Sequence, residues 1–215
     1  MRKSPSVPLQ RVAKVVLFLI CLIPLGTLIA RGIQGGLGPN PVETLTHVTG
    51  DWALRFLLIG LAVTPLRRLT GQVALVRFRR MLGLFAFFYA SLHFATYLWL
   101  DQFFAWGAIV EDVLKRPYIT VGFAAFLLMV PLAITSTRAS MRKLGRRWQQ
   151  LHRLVYFVGL LGVLHYLWLV KADVTEPLIY GAILALLLAL RIRLPQPHKR
   201  THAGKRRPAA TLDRP

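Results

Sequence analysis

Two histidines lie within long apolar runs, His93 in Met81–Leu100 and His165 in Leu151–Val170. An ionisable side chain inside a membrane-length run is costly and needs a partner, a water path or a cofactor. If both runs are helices read in the same direction, His93 stands 12 residues beyond Met81, about 18 Å along the axis. His165 stands 14 residues beyond Leu151, about 21 Å by the same rise. The two imidazoles are therefore expected at matched depth on different helices. One intramembrane histidine is commonly interhelical hydrogen-bonding glue; two at one level suit a haem gripped edge-on, each ring closing one axial position on the iron. Closed positions favour electron transfer over substrate chemistry. Small residues before each ligand, Ala86 and Ala90, Gly159 and Gly162, are expected to leave room for the macrocycle.

His152 opens the same run as His165, 13 residues earlier. On a straight helix the two side chains point about 140° apart, and they share a face only if the helix bends, for which Gly159 or Gly162 offers a place. Two readings stay open: a ligand of a second, inner haem, or an interfacial histidine among Arg147, Trp148 and Arg153. The depth-matched position on the other helix holds Arg79 or Arg80 and no histidine. His47 reads as a surface residue in a loop before the second span, and His198 and His202 belong to a basic tail. No nucleophile motif, HExxH or acidic metal cluster appears. Gly32, Gly35, Gly36 and Gly38 lack the spacing of a phosphate cradle. Cys21 is the only cysteine and reads as packing, excluding an internal disulfide.

The elements that must position these residues are membrane helices. Of 215 residues 55% are hydrophobic and 17% charged, with a mean hydropathy of +0.51. Crossing a hydrocarbon core of about 30 Å takes roughly 20 apolar residues as a helix, and these runs are too long and uniform for barrel strands. Six runs qualify: Val12–Ala30, Val48–Leu66, Met81–Leu100, Tyr118–Ser136, Leu151–Val170 and Pro177–Leu194. The fold class is an all-α integral membrane protein, a six-transmembrane-helix bundle. Arg55 interrupts the second run and is expected one turn inside its end, snorkelling outward. The first run contains Pro24 and ends Leu28-Ile29-Ala30-Arg31 with no cleavage signature, so it reads as a retained helix. Trp52, Trp99, Trp106 and Trp168 fall at span ends, as interfacial aromatics do.

A net charge of +20 would suit a nucleic-acid binder were it gathered on one surface. Instead the cations fall in blocks at alternate connections: Arg67, Arg68, Arg77, Arg79 and Arg80, then Arg138, Arg142, Lys143, Arg146 and Arg147. Seven of the eight acids, Glu43, Asp51, Asp101, Glu111, Asp112, Asp173 and Glu176, fall in the other three connections. Positive charge stays inside, so both termini are expected in the cytoplasm, with lipid and not nucleic acid as the surroundings. The expected organisation is a cytoplasmic segment 1–11, a haem-binding membrane domain 12–194, and a basic, disordered cytoplasmic tail 195–215.

Leu82-Gly83-Leu84, Leu92-His93-Phe94, Leu151-His152-Arg153-Leu154-Val155-Tyr156, His165-Tyr166-Leu167-Trp168, and Thr49-Gly50-Asp51-Trp52 running to Thr64-Pro65-Leu66-Arg67-Arg68 together resemble the haem-binding membrane subunits of bacterial methionine sulfoxide reductase systems. The resemblance runs from about residue 10 to 195. The third and fifth spans also resemble the wider ferric-reductase-like group, against which this chain lacks one histidine on the third helix. The resemblance implies a multi-pass protein of the bacterial inner membrane that carries haem b, one or two, and FMN. It implies electrons drawn from a cytoplasmic flavin reductase or the quinone pool and passed to a periplasmic molybdopterin-containing catalytic subunit, which repairs oxidised periplasmic proteins. His93, His165 and His152 match the family's haem-binding positions. About 20 residues follow the last span, so donor and acceptor are expected on separate chains, making this an electron-transfer subunit without a substrate site. The alternatives are a ferric-reductase-like or quinol-oxidising cytochrome with another acceptor, and a non-redox transporter or assembly factor using its histidines as proton relays.

Overall fold

A computed structural model describes residues 7–170 and 173–193; the expected tail, with His198 and His202, lies outside the described residues, as do Leu194 and Lys171. Among the described residues the chain is all helix: α1 (Val7–Ile33), α2 (Pro41–Thr70), α3 (Val76–Thr96, continued by a π turn Tyr97–Asp101), α4 (Trp106–Lys115), α5 (Pro117–Ile134), α6 (Arg138–Leu144), α7 (Arg146–Leu151), α8 (Leu154–Leu169) and α9 (Thr175–Arg193). Six helical stretches are long and apolar enough to cross a membrane. They correspond one to one with the six runs read from the sequence.

All six begin earlier than expected, and several run on further, for local reasons. Helix α1 begins at Val7, so the last residues of the expected 1–11 segment are helical. Helix α2 begins at Pro41, whose missing N–H costs nothing at a first helical position, and the Asn40 side chain accepts from the Glu43 N–H at 3.3 Å. It ends where Gly71 takes the left-handed conformation (φ 70°) and returns its N–H to Arg67. Two expectations change. His47 is exposed, as read, but on a helix and not in a loop. Arg55 lies midway along α2 rather than near its end, held by Asp51 (3.5 Å), the Tyr180 hydroxyl (2.8 Å) and the Trp52 face (5.1 Å). Helix α4, in a stretch read only as a connection, leaves Trp106, Val110 and Leu114 exposed at helical spacing, as suits a short helix lying in the membrane interface.

The bundle is built from two antiparallel pairs. Helix α2 packs along α3, joined by Thr46 and Thr96 hydroxyls at one end and by Gly60 against Leu82 further along. Helix α5 packs along α8, with Tyr118 beside His165 at one end and Thr135 beside His152 at the other. Aromatic contacts tie the pairs together: Phe87 stacks on Phe126 (11° between planes) and Phe94 meets Phe126 at 4.8 Å. The core centres on Leu54, Phe56, Leu57 and Leu61 of α2 and Leu82, Phe85, Ala86 and Tyr89 of α3. Helix α9 adds Leu184, and α1 adds Cys21, which is buried and free as expected.

Tyr89 joins α3 to α1 by entering a weak place in the α1 backbone. Pro24 has no N–H to give the ladder, and one residue on, the Leu25 N–H donates to the Tyr89 hydroxyl at 3.1 Å. That hydroxyl donates in turn to the Cys21 carbonyl at 2.9 Å. In lipid such freed backbone groups find no water, so a neighbouring helix must satisfy them. Tyr89→Phe is expected to lower stability by about 1–3 kcal/mol, the cost of polar groups left without partners. Thermal unfolding of the detergent-purified protein checks this; a midpoint equal to wild type contradicts it.

Candidate functional site

The two intramembrane histidines stand one on each helix pair and face each other. His93 comes from α3 and His165 from α8, and their ring centroids are 6.0 Å apart with 78° between the planes. The matched depth inferred from residue counting is therefore realised as direct opposition.

Each ring is held by its own pair's first helix. His93 Nδ1 lies 2.8 Å from the Thr46 carbonyl on α2, and His165 Nδ1 lies 2.7 Å from the Tyr118 carbonyl on α5. A carbonyl oxygen only accepts, so in both rings Nδ1–H donates and the lone pair resides on Nε2. Neither Nε2 has a hydrogen-bond partner among the described residues. A ring N–H anchored on a carbonyl fixes the tautomer and orientation of a metal-binding imidazole and raises its basicity. Thr46 and Tyr118 escaped the sequence reading because they act through backbone atoms, which no residue type advertises.

The spacing suits one metal ion shared by both rings. A metal–imidazole bond of about 2.0–2.1 Å, with a ring nitrogen roughly 1.1 Å from its centroid, puts two collinear axial rings about 6.3 Å apart. The observed 6.0 Å is within a few tenths of that. No three metal-binding side chains gather among the described residues, so two imidazoles fit a cofactor that brings its own equatorial ligands. A haem is such a cofactor.

The small residues expected to make room for a macrocycle prove to serve helix packing. Ala86 is wholly buried in the α2–α3 core. Gly159 lets Leu184 and Leu61 approach, and a Cβ on Gly162 would meet Leu54. Their smallness is used where helices touch, so three of the four do other work. Ala90 is partly exposed.

His152 is not part of the facing pair. It sits in a two-residue break between α7 and α8, where Arg153 N–H and Tyr156 N–H take the carbonyls three residues back, of Gln150 and Arg153. The helix is interrupted there and not at Gly159 or Gly162, and on either side of the break His152 meets Thr135, the C-cap of α5, and His165 meets Tyr118 at its start. Trp148 stacks on the His152 ring at 3.9 Å, and the Trp148 indole donates to the Thr135 carbonyl at 3.0 Å. The His152 Nε2 pairs with the Thr135 hydroxyl at 3.2 Å. Arg79 is the α3 residue close enough to act on it electrostatically, at the level where the sequence offered no histidine.

Two imidazoles brought together from two helix pairs of a membrane-length bundle form a candidate cofactor site. Residues 49–163, more than half of the chain, match the family described as ferric reductase like transmembrane component. Among curated proteins, the chain is 58% identical to one from Xanthomonas euvesicatoria over 84% of either chain. It is 53% identical to one from Herminiimonas arsenicoxydans, covering 87% of this chain and 88% of the relative. A third, from Xanthomonas oryzae, is 52% identical over 94% of this chain and 96% of its own. All three are named protein-methionine-sulfoxide reductase heme-binding subunit MsrQ. The chain belongs to the MsrQ family, within the ferric-reductase-like transmembrane group.

Proposed function

We propose that this chain is a b-type haem electron-transfer subunit of the bacterial inner membrane, passing electrons to a periplasmic methionine sulfoxide reductase. The observation that carries the reading is the facing pair His93 and His165, 6.0 Å apart, each with Nδ1 anchored and Nε2 free. The family supports it from another direction, since the similar proteins are named heme-binding subunits of that reductase. The bound haem would supply a one-electron redox centre inside the membrane.

What the chain's own residues do follows from their placement. His93 and His165 would hold the haem through Nε2, one from each helix pair, and a metal held by two imidazoles would favour electron transfer over binding of oxygen or substrate. The Thr46 and Tyr118 carbonyls keep both rings aimed during turnover, so little reorganises when charge changes. The acidic connections Glu43 and Glu111–Asp112 mark the periplasmic end by the positive-inside rule, and both termini are cytoplasmic. The acceptor is then a molybdopterin-containing catalytic subunit on the periplasmic side. The donor is a cytoplasmic flavin reductase or the quinone pool, and FMN is a second cofactor by family. His152, at the opposite end of the α5–α8 pair from His165, is the candidate ligand for a second haem.

His152→Ala is expected to leave the haem on His93 and His165 intact, because its ring meets Thr135 and Trp148 and not the facing pair. Haem content per chain checks this, and loss of all haem contradicts it. The function itself is tested by reducing the purified chain and adding the molybdopterin subunit with a methionine-sulfoxide protein. Rapid reoxidation of the b-type bands is expected only when both are present. Bands that stay reduced with both present would contradict the assignment.

A further inference from the structure

The two histidines are seated by the same device, used twice, although no sequence repeat announces it. In each case the carbonyl that takes Nδ1–H lies 47 residues before the histidine, on the first helix of the pair. In each case the residue four further along that helix is a glycine, Gly50 after Thr46 and Gly122 after Tyr118. Four residues is about one helical turn, so carbonyl and glycine share a face. The histidines themselves sit in matching triplets, Leu92-His93-Phe94 and Leu164-His165-Tyr166.

The glycines are required by contact with the rings. A Cβ on Gly122 would fall 2.6 Å from His165 Nδ1, 2.8 Å from Cε1 and 3.1 Å from Cγ. A Cβ on Gly50 would fall 3.0, 3.1 and 3.7 Å from His93 Nδ1, Cε1 and Cγ. Each imidazole therefore lies against bare backbone, steered by a hydrogen bond at one edge and by the helix wall beneath. Other glycines of the spans differ: Gly26 and Gly83 would meet nothing within 4 Å, and Gly159, tight at 3.2 Å, would meet Leu184 and not an imidazole. Gly50 and Gly122 are helical residues without positive φ, so the close approach alone accounts for them.

We infer that Gly50 and Gly122 are positioning residues that set the angle between the two ligand planes, holding them near perpendicular. The inference rests on the reading of His93 and His165 as ligands of one haem. It goes further by assigning the ring angle, 78° here, to two glycine–carbonyl seats. The angle has a physical consequence separate from binding. Parallel imidazole planes split the two iron d orbitals that point toward their π systems. Perpendicular planes leave those orbitals nearly degenerate, which gives a strongly anisotropic low-spin ferric signal with a large gmax.

The test is electron paramagnetic resonance of the full-length ferric protein, with haem content measured alongside. Wild type is expected to show the large-gmax signal. Gly50→Ala, where the ring must yield by a few tenths of an ångström, is expected to keep haem with gmax shifted downward. Gly122→Ala, where the clash is more severe, is expected to lose most of the haem. Gly83→Ala, on the same helix as His93 but facing open space, is expected to match wild type. Wild-type haem content with unchanged gmax in Gly122→Ala overturns the inference. If Gly122→Ala does not fold, an unchanged gmax in Gly50→Ala overturns it equally. Wild-type protein that binds no haem refutes the functional reading instead, so the two failures are distinguishable.

Discussion

Alanine at either His93 or His165 is expected to remove one full haem equivalent per chain, and the double variant is expected to lose no more than either single one. The equality follows from geometry. The rings face each other at 6.0 Å, a separation that one iron spans and two do not. Both come from separate helix pairs, so losing one leaves the opposite imidazole in place but the sixth position open. A haem held by a single protein bond between helices that pack mainly within their own pairs has little to retain it. The Nε2 that remains would still be correctly aimed, because its carbonyl anchor, Thr46 or Tyr118, is on its own pair. The measurement is the pyridine haemochrome of purified variants, normalised to protein. Additive loss, two equivalents from the double variant, would place the histidines on different haems and contradict the facing pair.

The second large effect concerns the charge midway along α2. Arg55 lies 14 residues past Pro41, about 21 Å along the helix, with its side chain 35% exposed. Asp51 pairs with it at 3.5 Å, while Tyr180 of α9 accepts its Nε–H at 2.8 Å. Asp51→Ala removes the anion paired with Arg55 and leaves its guanidinium to Tyr180, the Trp52 face and the more distant Glu176. Breaking a pair by deleting one partner costs more than deleting both, because the survivor stays desolvated. The expected loss is about 3 kcal/mol, read as a lower thermal midpoint in detergent. The Asp51→Ala/Arg55→Met double variant is expected to recover most of it. A single variant as stable as wild type would show that water or headgroups already solvate Arg55.

The features legible in the sequence were those that hydrocarbon makes expensive. Six apolar runs, alternating charge blocks and two histidines out of place need only a count of residues and a rise per residue. The shared level of His93 and His165 came from the same count. Features that depend on which face of a helix meets which neighbour were not legible. Gly50 and Gly122 look like any glycine of an apolar run, whereas Ala86, Gly159 and Gly162 stand nearer to the histidines in sequence and were given the role. The break at His152 lies two to three turns before Gly159 and Gly162, and nothing in Leu151-His152-Arg153 marks a turn by composition. Arg55 was read near a span end because the apolar run starts at Val48, while the helix starts at Pro41.

The most direct test of the central claim is the spectrum of dithionite-reduced protein carrying His152→Ala, recorded with and without carbon monoxide. With Nε2 of His93 and of His165 on opposite faces of one iron, sharp b-type bands are expected that carbon monoxide does not move. Bands that shift on adding the gas would mean an open axial position, and no bands would mean no haem; either result would contradict the paired-imidazole site.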